Sequence, residues 1–455
     1  MNASLSGSRR PHPLPAPTPV QRRRSMLVAA FGTIVEWFDF SIFFYVSVSL
    51  TQAFFPEQEN SLLLVLGTGA IGFVFRPLGA MVFGHLGDRI GRKQALVISA
   101  GLMSIAMFGI AVMPGYEAIG LWGGVGVIAL RCLAGFSVGA EYTGIMVFLM
   151  ESARESRRGF AASWAAANSE VGALLAVGLS SWLAFGLGSE AMSEWAWRIM
   201  FVVGGLLAAV MIPLRKLLVE TETFQNTQKA ESAQSRSPLL TVLRDHPKAV
   251  VLAFLISTVG SATYFLNITY VPTYLESVTS LGSGTALGLG TVAALAAIVV
   301  TPFIGLAADR FGRRPVFTVV AAVVVLGTVP AYLALVGTST ALAGMAVAAL
   351  AVPAAAWSAV AAAAVPEQFT AVGRFSGMAV GYNVAAALFG GFSPMVVTWL
   401  MKVTGSDLAP AVYAAVVVLL AAVPAIFLMR DMARVPVREL DADPVLEEVR
   451  EPTSV

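Results

Sequence analysis

Long runs of apolar residues alternate with short polar connections along most of this chain. A helix needs about 20 predominantly apolar residues to cross the hydrocarbon layer of a bilayer. Runs of that length predict twelve transmembrane helices, which we call spans one to twelve. They cover residues 26–50, 61–86, 95–113, 118–150, 160–185, 196–214, 249–275, 285–307, 315–336, 339–365, 375–401 and 409–429. The pattern therefore predicts an all-α membrane protein.

One long polar connection interrupts the series after the sixth span. It covers residues 215–248 and carries several Lys and Arg residues. The chain is therefore predicted to consist of a disordered cytosolic N-terminal tail (1–25), a six-helix half (26–214), a cytosolic linker (215–248), a second six-helix half (249–430) and a cytosolic C-terminal tail (431–455).

A short motif occurs once in each half, between its second and third span. Residues 84–93 read GHLGDRIGRK and residues 305–314 read GLAADRFGRR. A motif repeated at equivalent positions indicates duplicated halves, related by an axis along the membrane normal. The twelve helices are thus predicted to form two pseudo-symmetric halves.

The positions of Lys and Arg predict the orientation. Four of the 29 Lys and Arg residues lie within spans or near the outer loops, namely Arg76, Arg131, Arg198 and Lys402, and the others lie on the side of both termini. Positive charge concentrates in cytoplasmic connections. We therefore expect a multi-pass protein of the cell (inner or plasma) membrane with both termini in the cytosol.

Composition excludes several other classes. Hydrophobic residues make up 57% of the chain and charged residues 12%, against about 25% charged in soluble domains. The single cysteine, Cys132, excludes an intramolecular disulfide, and the three histidines lie far apart. We found neither a nucleotide-binding loop nor a nucleophile–base pair. We expect no enzyme activity, no cofactor, no metal and no nucleic-acid partner. We expect a monomer in contact with lipid.

Several motifs resemble those of a known family. The loops at 88–93 and 309–314 resemble the signature loop of the major facilitator superfamily. The stretches EWFDF (36–40), RPLG (76–79) and GFSVGAEYTG (135–144) are similar to its metabolite:proton symporter family, and the last is most similar to proline/glycine-betaine type transporters. The resemblance implies the twelve-helix major facilitator fold and proton symport by alternating access.

Five ionisable residues lie within the spans of the first half. Glu36 and Asp39 are three residues apart and share a helix face, Arg76 lies in span two, and Arg131 and Glu141 lie in span four. Charges at this depth are costly unless they are paired or hydrated, so they predict an internal polar cavity. We expect Glu36, Asp39 and Glu141 to include the proton carrier. The alternative is a static ion-pair network that stabilises the bundle.

A second group of residues is predicted to bind the substrate. Arg131 could hold a carboxylate through two hydrogen bonds. Aromatic faces can hold a quaternary ammonium through cation–π attraction. The predicted substrate-binding residues are Arg131, Tyr142, Asn168, Tyr264, Asn267, Tyr382 and Asn383, and Glu170 is a further candidate for the cavity. The alternative for the aromatic residues is a role at the membrane interface or in the core.

The two signature loops are predicted to act as a conformational latch. Their glycines allow tight turns, and their aspartates can accept hydrogen bonds from a neighbouring helix N-terminus or from an arginine. Such contacts would hold one face closed in one state and break in the other. The residues concerned are Gly84, Asp88, Arg89, Gly91, Arg92, Asp309, Arg310, Gly312 and Arg313. The alternative is that these charges serve only membrane orientation and turn formation.

The sequence therefore predicts a secondary active transporter, driven by the proton gradient. We expect import, by proton symport, of a small carboxylated or zwitterionic metabolite. Candidates are proline- or betaine-like compounds and organic acids such as 2-oxoglutarate, citrate or shikimate. An exporter of a small metabolite is the alternative. A non-transporting membrane sensor is disfavoured because both signature loops and the buried charges are present.

Overall fold

A computed structural model describes residues 19–56, 58–90, 92–138, 141–216, 242–244, 246–337, 339–370 and 374–435. Within these residues the helices form twelve spans in two sets of six, as predicted. In the first set, the spans are Pro19–Tyr45 with Ser47–Phe54, Ser61–Ile90, Arg92–Val112, Leu121–Ser137 with Glu141–Ser152, Arg158–Ala191, and Trp197–Lys216. In the second set, they are Pro247–Tyr264 with Phe265–Thr269 and Val271–Val278, Ser283–Phe311, Arg313–Leu335, Thr340–Ala364, Arg374–Ala385 with Ala386–Gly391 and Ser393–Thr404, and Ala409–Leu428.

Spans five and six follow each other with almost no break in helical structure. The apolar helical segment Glu155–Lys216 has 62 residues, about three times the length that crosses a bilayer once. Gly188 breaks it with a φ of 87°. Arg198 then donates hydrogen bonds to carbonyls at the end of span three, whereas Arg215 near the other end of span six bonds Ser99, near the start of span three. Span six therefore runs antiparallel to span three, and the segment makes two crossings.

The structure differs from the predicted boundaries at two places. Span one begins at Pro19, within the predicted disordered tail. Arg22 to Arg24 are good helix formers, so the helix continues beyond its apolar part, and Pro19 suits the first helical turn. Arg215 is a buried part of span six rather than a linker residue. The remaining predictions for 1–18, 217–241 and 436–455 lie outside the described residues.

The two halves meet along spans five and eight and along spans two and eleven. Glycines allow the close approach: Gly305 of span eight lies against Ser163 of span five, and Gly391 of span eleven lies against Phe73 of span two. Large apolar side chains cover the outer surface, including Trp182, which is 70% exposed. An apolar outer surface of this kind suits a bilayer.

We call the face at which span one begins and span twelve ends the terminal face. Asp431, just after span twelve, accepts hydrogen bonds of 3.1 Å from the backbone N–H groups of Arg313 and Arg314. The end of the second half thereby caps the first turn of span nine, whose N–H groups have no partner within their own helix.

Candidate functional site

A cavity lies between the two halves. It is lined by residues of spans one, four, five, seven, ten and eleven: Trp37, Tyr142, Met146, Ser169, Ser257, Gly260, Ser261, Tyr264, Phe265, Ser358, Ala361, Ala362, Val365 and Tyr382. Among the described residues, the lining is aromatic, apolar and hydroxyl-bearing, and it contains no charged side chain. Both halves contribute to it, as a central transport site requires.

Four aromatic side chains dominate this lining, and we call them the aromatic cluster: Trp37, Tyr142, Tyr264 and Tyr382. The Trp37 ring lies edge-on to Tyr264 and Tyr142, with centroids 4.9 Å and 5.5 Å apart. The ring centroids of Tyr142, in the first half, and Tyr382, in the second half, are 5.3 Å apart, so the cluster includes residues of both halves in contact. The Trp37 indole N–H and the Tyr264 hydroxyl are buried and have no hydrogen-bond partner within the described residues. These groups are available to a ligand.

Local helix irregularities position the two tyrosines of the second half. Tyr264 is followed at once by the π-helical turn Phe265–Thr269, and Tyr382 lies just before a second one, Ala386–Gly391. Such turns insert a residue into the helix and often occur at functional sites. Phe265 of the first turn packs against Trp37, Phe44 and Phe73 of the first half. The irregular turns thus contact the opposite half.

Three of the predicted substrate-binding residues line the cavity, and four do not. Tyr142, Tyr264 and Tyr382 belong to the lining. Arg131, Asn267 and Asn383 are buried outside it, and Asn168 is partly buried outside it. The Asn267 amide has no hydrogen-bond partner among the described residues. The site predictions for these four stay predictions.

The predicted charges of spans one, two and four form two buried ion pairs. Arg76 pairs with Glu36, and Arg131 pairs with Asp39 at 3.0 Å. All four side chains are at most 2% exposed. Each of these two carboxylates therefore has an arginine beside it, which compensates for its removal from water.

Phe40 lies between the two arginines of these pairs. The guanidinium carbons of Arg76 and Arg131 are 4.9 Å and 4.5 Å from its ring centroid. Cation–π attraction to a shared ring offsets part of the repulsion between the two cations. The pairs and Phe40 form a charged layer beside the cavity rather than part of its lining.

Glu170, a further carboxylate of this region, differs from that pattern. The side chain of Glu141, a predicted proton carrier, lies outside what the structure describes. Glu170 of span five is 1% exposed, and no Lys, Arg or His among the described residues lies within ion-pair distance of it. Its Oε2 has no hydrogen-bond partner in the described part of the chain. The sequence analysis identified Glu170 as a cavity candidate, but it assigned proton coupling to Glu36, Asp39 and Glu141 instead.

Trp37 is a cavity residue for which sequence reasoning proposed no role. The sequence analysis singled out residues 36–40 because of the charges of Glu36 and Asp39. It named Trp37 only as part of that motif. Because neighbouring residues in a helix point about 100° apart, Trp37 faces the cavity while Glu36 faces Arg76. A tryptophan between two ionisable residues of a predicted span was the signal available in the sequence.

The second signature loop holds the halves together at the terminal face. Asp309 accepts hydrogen bonds from the backbone N–H groups of Gly159 and Phe160 at 2.7 Å and 2.8 Å. These groups begin span five, so a carboxylate faces the positive end of a helix dipole. Asp309 also pairs with Arg313 at 3.0 Å. These are the contact types that the sequence predicted for this aspartate, whereas its role as a latch stays a prediction.

Arg313 extends this contact into a network that the sequence did not predict. It donates two hydrogen bonds to Glu367, and Glu367 lies 3.7 Å from Arg158 of the first half. Glu367 and Arg158 are fully buried. Arg310, by contrast, is exposed beside Phe311, and Gly312 adopts a φ of 97° at the turn into span nine. Loop spacing alone gave no sign of Glu367 or Arg158.

The equivalent loop of the first half cannot be compared with it. Span two ends at Ile90 and span three begins at Arg92, so the helices flank the predicted turn. Gly91 and the side chains of Asp88, Arg89 and Arg92, together with the surroundings of Gly84, lie outside the described part of the structure. Their predicted latch roles stay predictions.

Further contacts join the halves on both sides of the cavity. At the terminal face, Arg374 of span eleven pairs with Glu151 of span four at 2.7 Å. On the opposite side, Ser47 and Thr273 form a hydrogen bond of 3.3 Å, and Lys402 pairs with Glu59 at 3.1 Å. Contacts between the halves therefore lie on both sides of the aromatic cluster.

Comparison with sequence families gives one match to a large part of the chain. Residues 29–292 match the family described as Major Facilitator Superfamily. That range covers the first half and continues into span eight.

Characterised relatives match over most of their length. The ectoine/proline transporter of Corynebacterium glutamicum is 30% identical over 87% of this chain and 81% of the relative. The proline/betaine transporter of Salmonella typhimurium is 30% identical over 94% of this chain and 87% of the relative. A glycine betaine/proline/ectoine/pipecolic acid transporter of Dickeya dadantii is 29% identical over 91% of this chain and 85% of the relative.

Solved structures with the same arrangement of helices are also known. A crystal structure of a D-xylose–proton symporter superposes with a TM-score of 0.71 at 19% identity, covering 90% of this chain and 98% of that one. The inward-open form of the xylose transporter of E. coli superposes with a TM-score of 0.70 at 19% identity, covering 91% of this chain and 98% of that one. This similarity concerns the fold.

Proposed function

The chain belongs to the major facilitator superfamily, and we propose that it is a secondary transporter that imports a small zwitterion together with a proton. The observation that carries this proposal is the cavity between the halves, lined by the aromatic cluster. Alternating access moves such a site from one side of the membrane to the other by rocking the halves.

The lining favours a zwitterion over an organic acid with several charges. Citrate or 2-oxoglutarate would need cationic side chains, and the described lining contains none. The four aromatic rings can hold a substituted ammonium by cation–π attraction, and the indole N–H of Trp37 and the serine hydroxyls can donate to one carboxylate. Proline, betaine and ectoine each combine one carboxylate with one cationic nitrogen group, and the relatives named above are described as transporters of such compounds.

The charge distribution supports an orientation with the terminal face in the cytosol. Lys and Arg are concentrated on the side of the termini. In that orientation, the Asp309 and Glu367 contacts close the cytosolic side, and importing the substrate requires them to open. We place the protein in the cell membrane, where a proton gradient supplies the driving force without a bound cofactor.

The direct test is uptake into proteoliposomes that contain the purified protein. Labelled proline, betaine, ectoine, 2-oxoglutarate, citrate and shikimate are supplied outside, with and without an inward proton gradient. We expect accumulation of a zwitterion that is abolished by a protonophore. Accumulation of an organic acid instead would contradict the substrate class. Uptake that equilibrates but ignores the gradient would contradict symport.

A second arm tests the direction of transport. Preloaded vesicles are diluted into substrate-free buffer, and release is followed with the gradient in either sense. Release that occurs only when protons move in the direction opposite to the substrate would indicate proton antiport by an exporter. That result would overturn the proposal.

A further inference from the structure

Glu170 is a buried carboxyl group of span five that has no countercharge among the described residues. It lies in span five, next in sequence to the cavity-lining Ser169, and is 1% exposed. No described basic side chain lies within ion-pair distance, and its Oε2 has no hydrogen-bond partner in the described residues. An isolated charge at this depth is costly, so the conformation described here favours the neutral, protonated acid.

The other carboxylates of the same region are placed differently. Glu36 is held by Arg76, and Asp39 is held by Arg131. An arginine in contact with a carboxylate favours its charged form. Glu170 has no such partner among the described residues.

The turn of span five that carries Glu170 borders the proposed substrate site. Ser169, the preceding residue, lines the cavity together with Tyr142 of span four and Tyr264 of span seven. Both tyrosines belong to the aromatic cluster. Substrate that binds between these rings therefore lies beside the turn that carries Glu170.

The charged groups of spans one, four and eight whose side chains the structure describes are paired or lie at the terminal face. In span one these are the paired Glu36 and Asp39. Asp309 and Arg310 of span eight, and Glu151 of span four, lie at the terminal face. Span ten contributes no charged residue between Thr340 and Ala364.

We propose that Glu170 carries the coupled proton. This inference rests on the proposed symport function. The Glu170 carboxylate binds one proton when the cavity is open to the outside, forming an O–H bond, and its neutral form allows the halves to close around the cavity with substrate bound. When the terminal face opens, water reaches the carboxyl group, the O–H bond breaks and the proton enters the cytosol. The empty carrier returns after deprotonation.

The test compares Glu170→Gln with wild type in two assays on proteoliposomes. Glutamine keeps the size of the protonated acid but cannot release a proton. We expect Glu170→Gln to lose proton-driven accumulation of labelled betaine or proline. Substrate exchange at equal internal and external pH should continue at a rate within a fewfold of wild type, because exchange needs no deprotonation. Glu190→Gln, at the exposed outer end of the same span, is the matched control and should accumulate substrate like wild type.

The outcomes separate the two proposals. Accumulation by Glu170→Gln at the wild-type level would overturn the assignment of Glu170 and leave symport intact. Absence of gradient-driven accumulation in wild type would overturn symport itself.

Wild-type protein allows a test that does not depend on the folding of a variant. A hydrophobic carbodiimide reacts with protonated carboxyl groups in apolar surroundings, and mass spectrometry locates the product. We expect modification at Glu170 that decreases when betaine or proline is present and when the pH rises. Modification confined to other carboxyl groups under all conditions would contradict the proposal.

Discussion

Charged and aromatic side chains have separate positions in the first half, although they alternate along the same helix. Glu36 and Asp39 face arginines, whereas Trp37 between them faces the cavity. The 100° step between successive helical residues produces this separation. A short motif therefore supplies both a charged layer and a binding surface, and each can be tested alone.

The aromatic cluster predicts how substrate affinity depends on Trp37. Replacing Trp37 by Ala removes a ring and an N–H donor, and we expect KM for betaine uptake to rise about tenfold or more, since one cation–π contact contributes on the order of 1–2 kcal/mol in a desolvated site. Trp37→Phe should raise KM less than Trp37→Ala, because an aromatic ring remains. Trp182→Phe, on the exposed surface, is the control and should leave KM unchanged. An unchanged KM in Trp37→Ala would argue against the cluster as the binding site.

The Arg131–Asp39 pair predicts a non-additive effect on stability. Arg131→Gln leaves Asp39 as an unpaired buried charge, and we expect a loss of about 3–5 kcal/mol in the free energy of unfolding. The double variant Arg131→Gln/Asp39→Asn removes both charges and should recover most of that stability. Thermal unfolding in detergent measures the stability of the single and the double variant. A double variant as unstable as the single one would show that the pair is not coupled.

Uptake by the same variants distinguishes structure from function for this pair. If Arg131 also binds the substrate carboxylate, the stable double variant should still fail to transport. Transport by that variant at the wild-type rate would leave the pair with a structural role only.

At the scale of whole helices, small residues decide which spans approach closely. Gly135 of span four lies against the backbone of Gly72 in span two, and Gly79 of span two lies against the carbonyl of Phe136. A Cβ atom at either glycine would overlap the neighbouring backbone. This contact keeps Arg131, on the same face of span four as Gly135, close to span one.

We expect Gly135→Ala to lower stability by about 1–3 kcal/mol, because the added methyl group has no space between two helix backbones. Gly178→Ala in span five is the matched control, since its added methyl group would meet no other atom within 4 Å. That control should be neutral or slightly stabilising, because alanine in a helix is roughly 0.5–1 kcal/mol more favourable than glycine. Melting temperatures in detergent measure the stability of both variants. Equal values for the two variants would contradict this packing.

At the scale of the whole molecule, contacts at both faces hold the halves together around the cavity. The terminal face depends on charge, through Asp309, Arg313 and Glu367, and on the N-terminus of span five. The opposite face has fewer buried charges among the described residues, and its Lys402–Glu59 pair is exposed. Exposed pairs contribute little, so breaking the terminal-face network should affect the equilibrium between conformations more.

Asp309→Asn should favour opening of the terminal face. The neutral amide loses the attraction to the helix dipole and to Arg313, so the open state should gain about fivefold or more in population. A reporter cysteine replaces the buried Ser163, with Cys132→Ser as background, and maleimide labelling follows exposure. Labelling should increase in Asp309→Asn but not in Asp407→Asn, an exposed residue at the opposite face. Unchanged labelling would contradict the latch.

Hydropathy and the repeated loop by themselves determined the fold of this protein. Apolar runs of bilayer length define the spans, because the hydrocarbon layer fixes their length and a helix satisfies every backbone polar group within its own segment. The motifs also indicated the family, which the comparisons confirm. Boundaries were less certain where good helix formers such as Arg22 and Arg215 extend a helix beyond its apolar part.

Only the tertiary structure decided which buried polar residues are paired and which face a cavity. In the sequence, Glu36, Asp39 and Glu170 are equivalent carboxylates in apolar helices. Arg76 and Arg131 approach the first two because spans one, two and four pack together, whereas no described basic residue reaches Glu170. The aromatic cluster combines residues up to 345 positions apart, from Trp37 to Tyr382. Periodicity describes each helix alone, and the packing of the helices determines which faces meet.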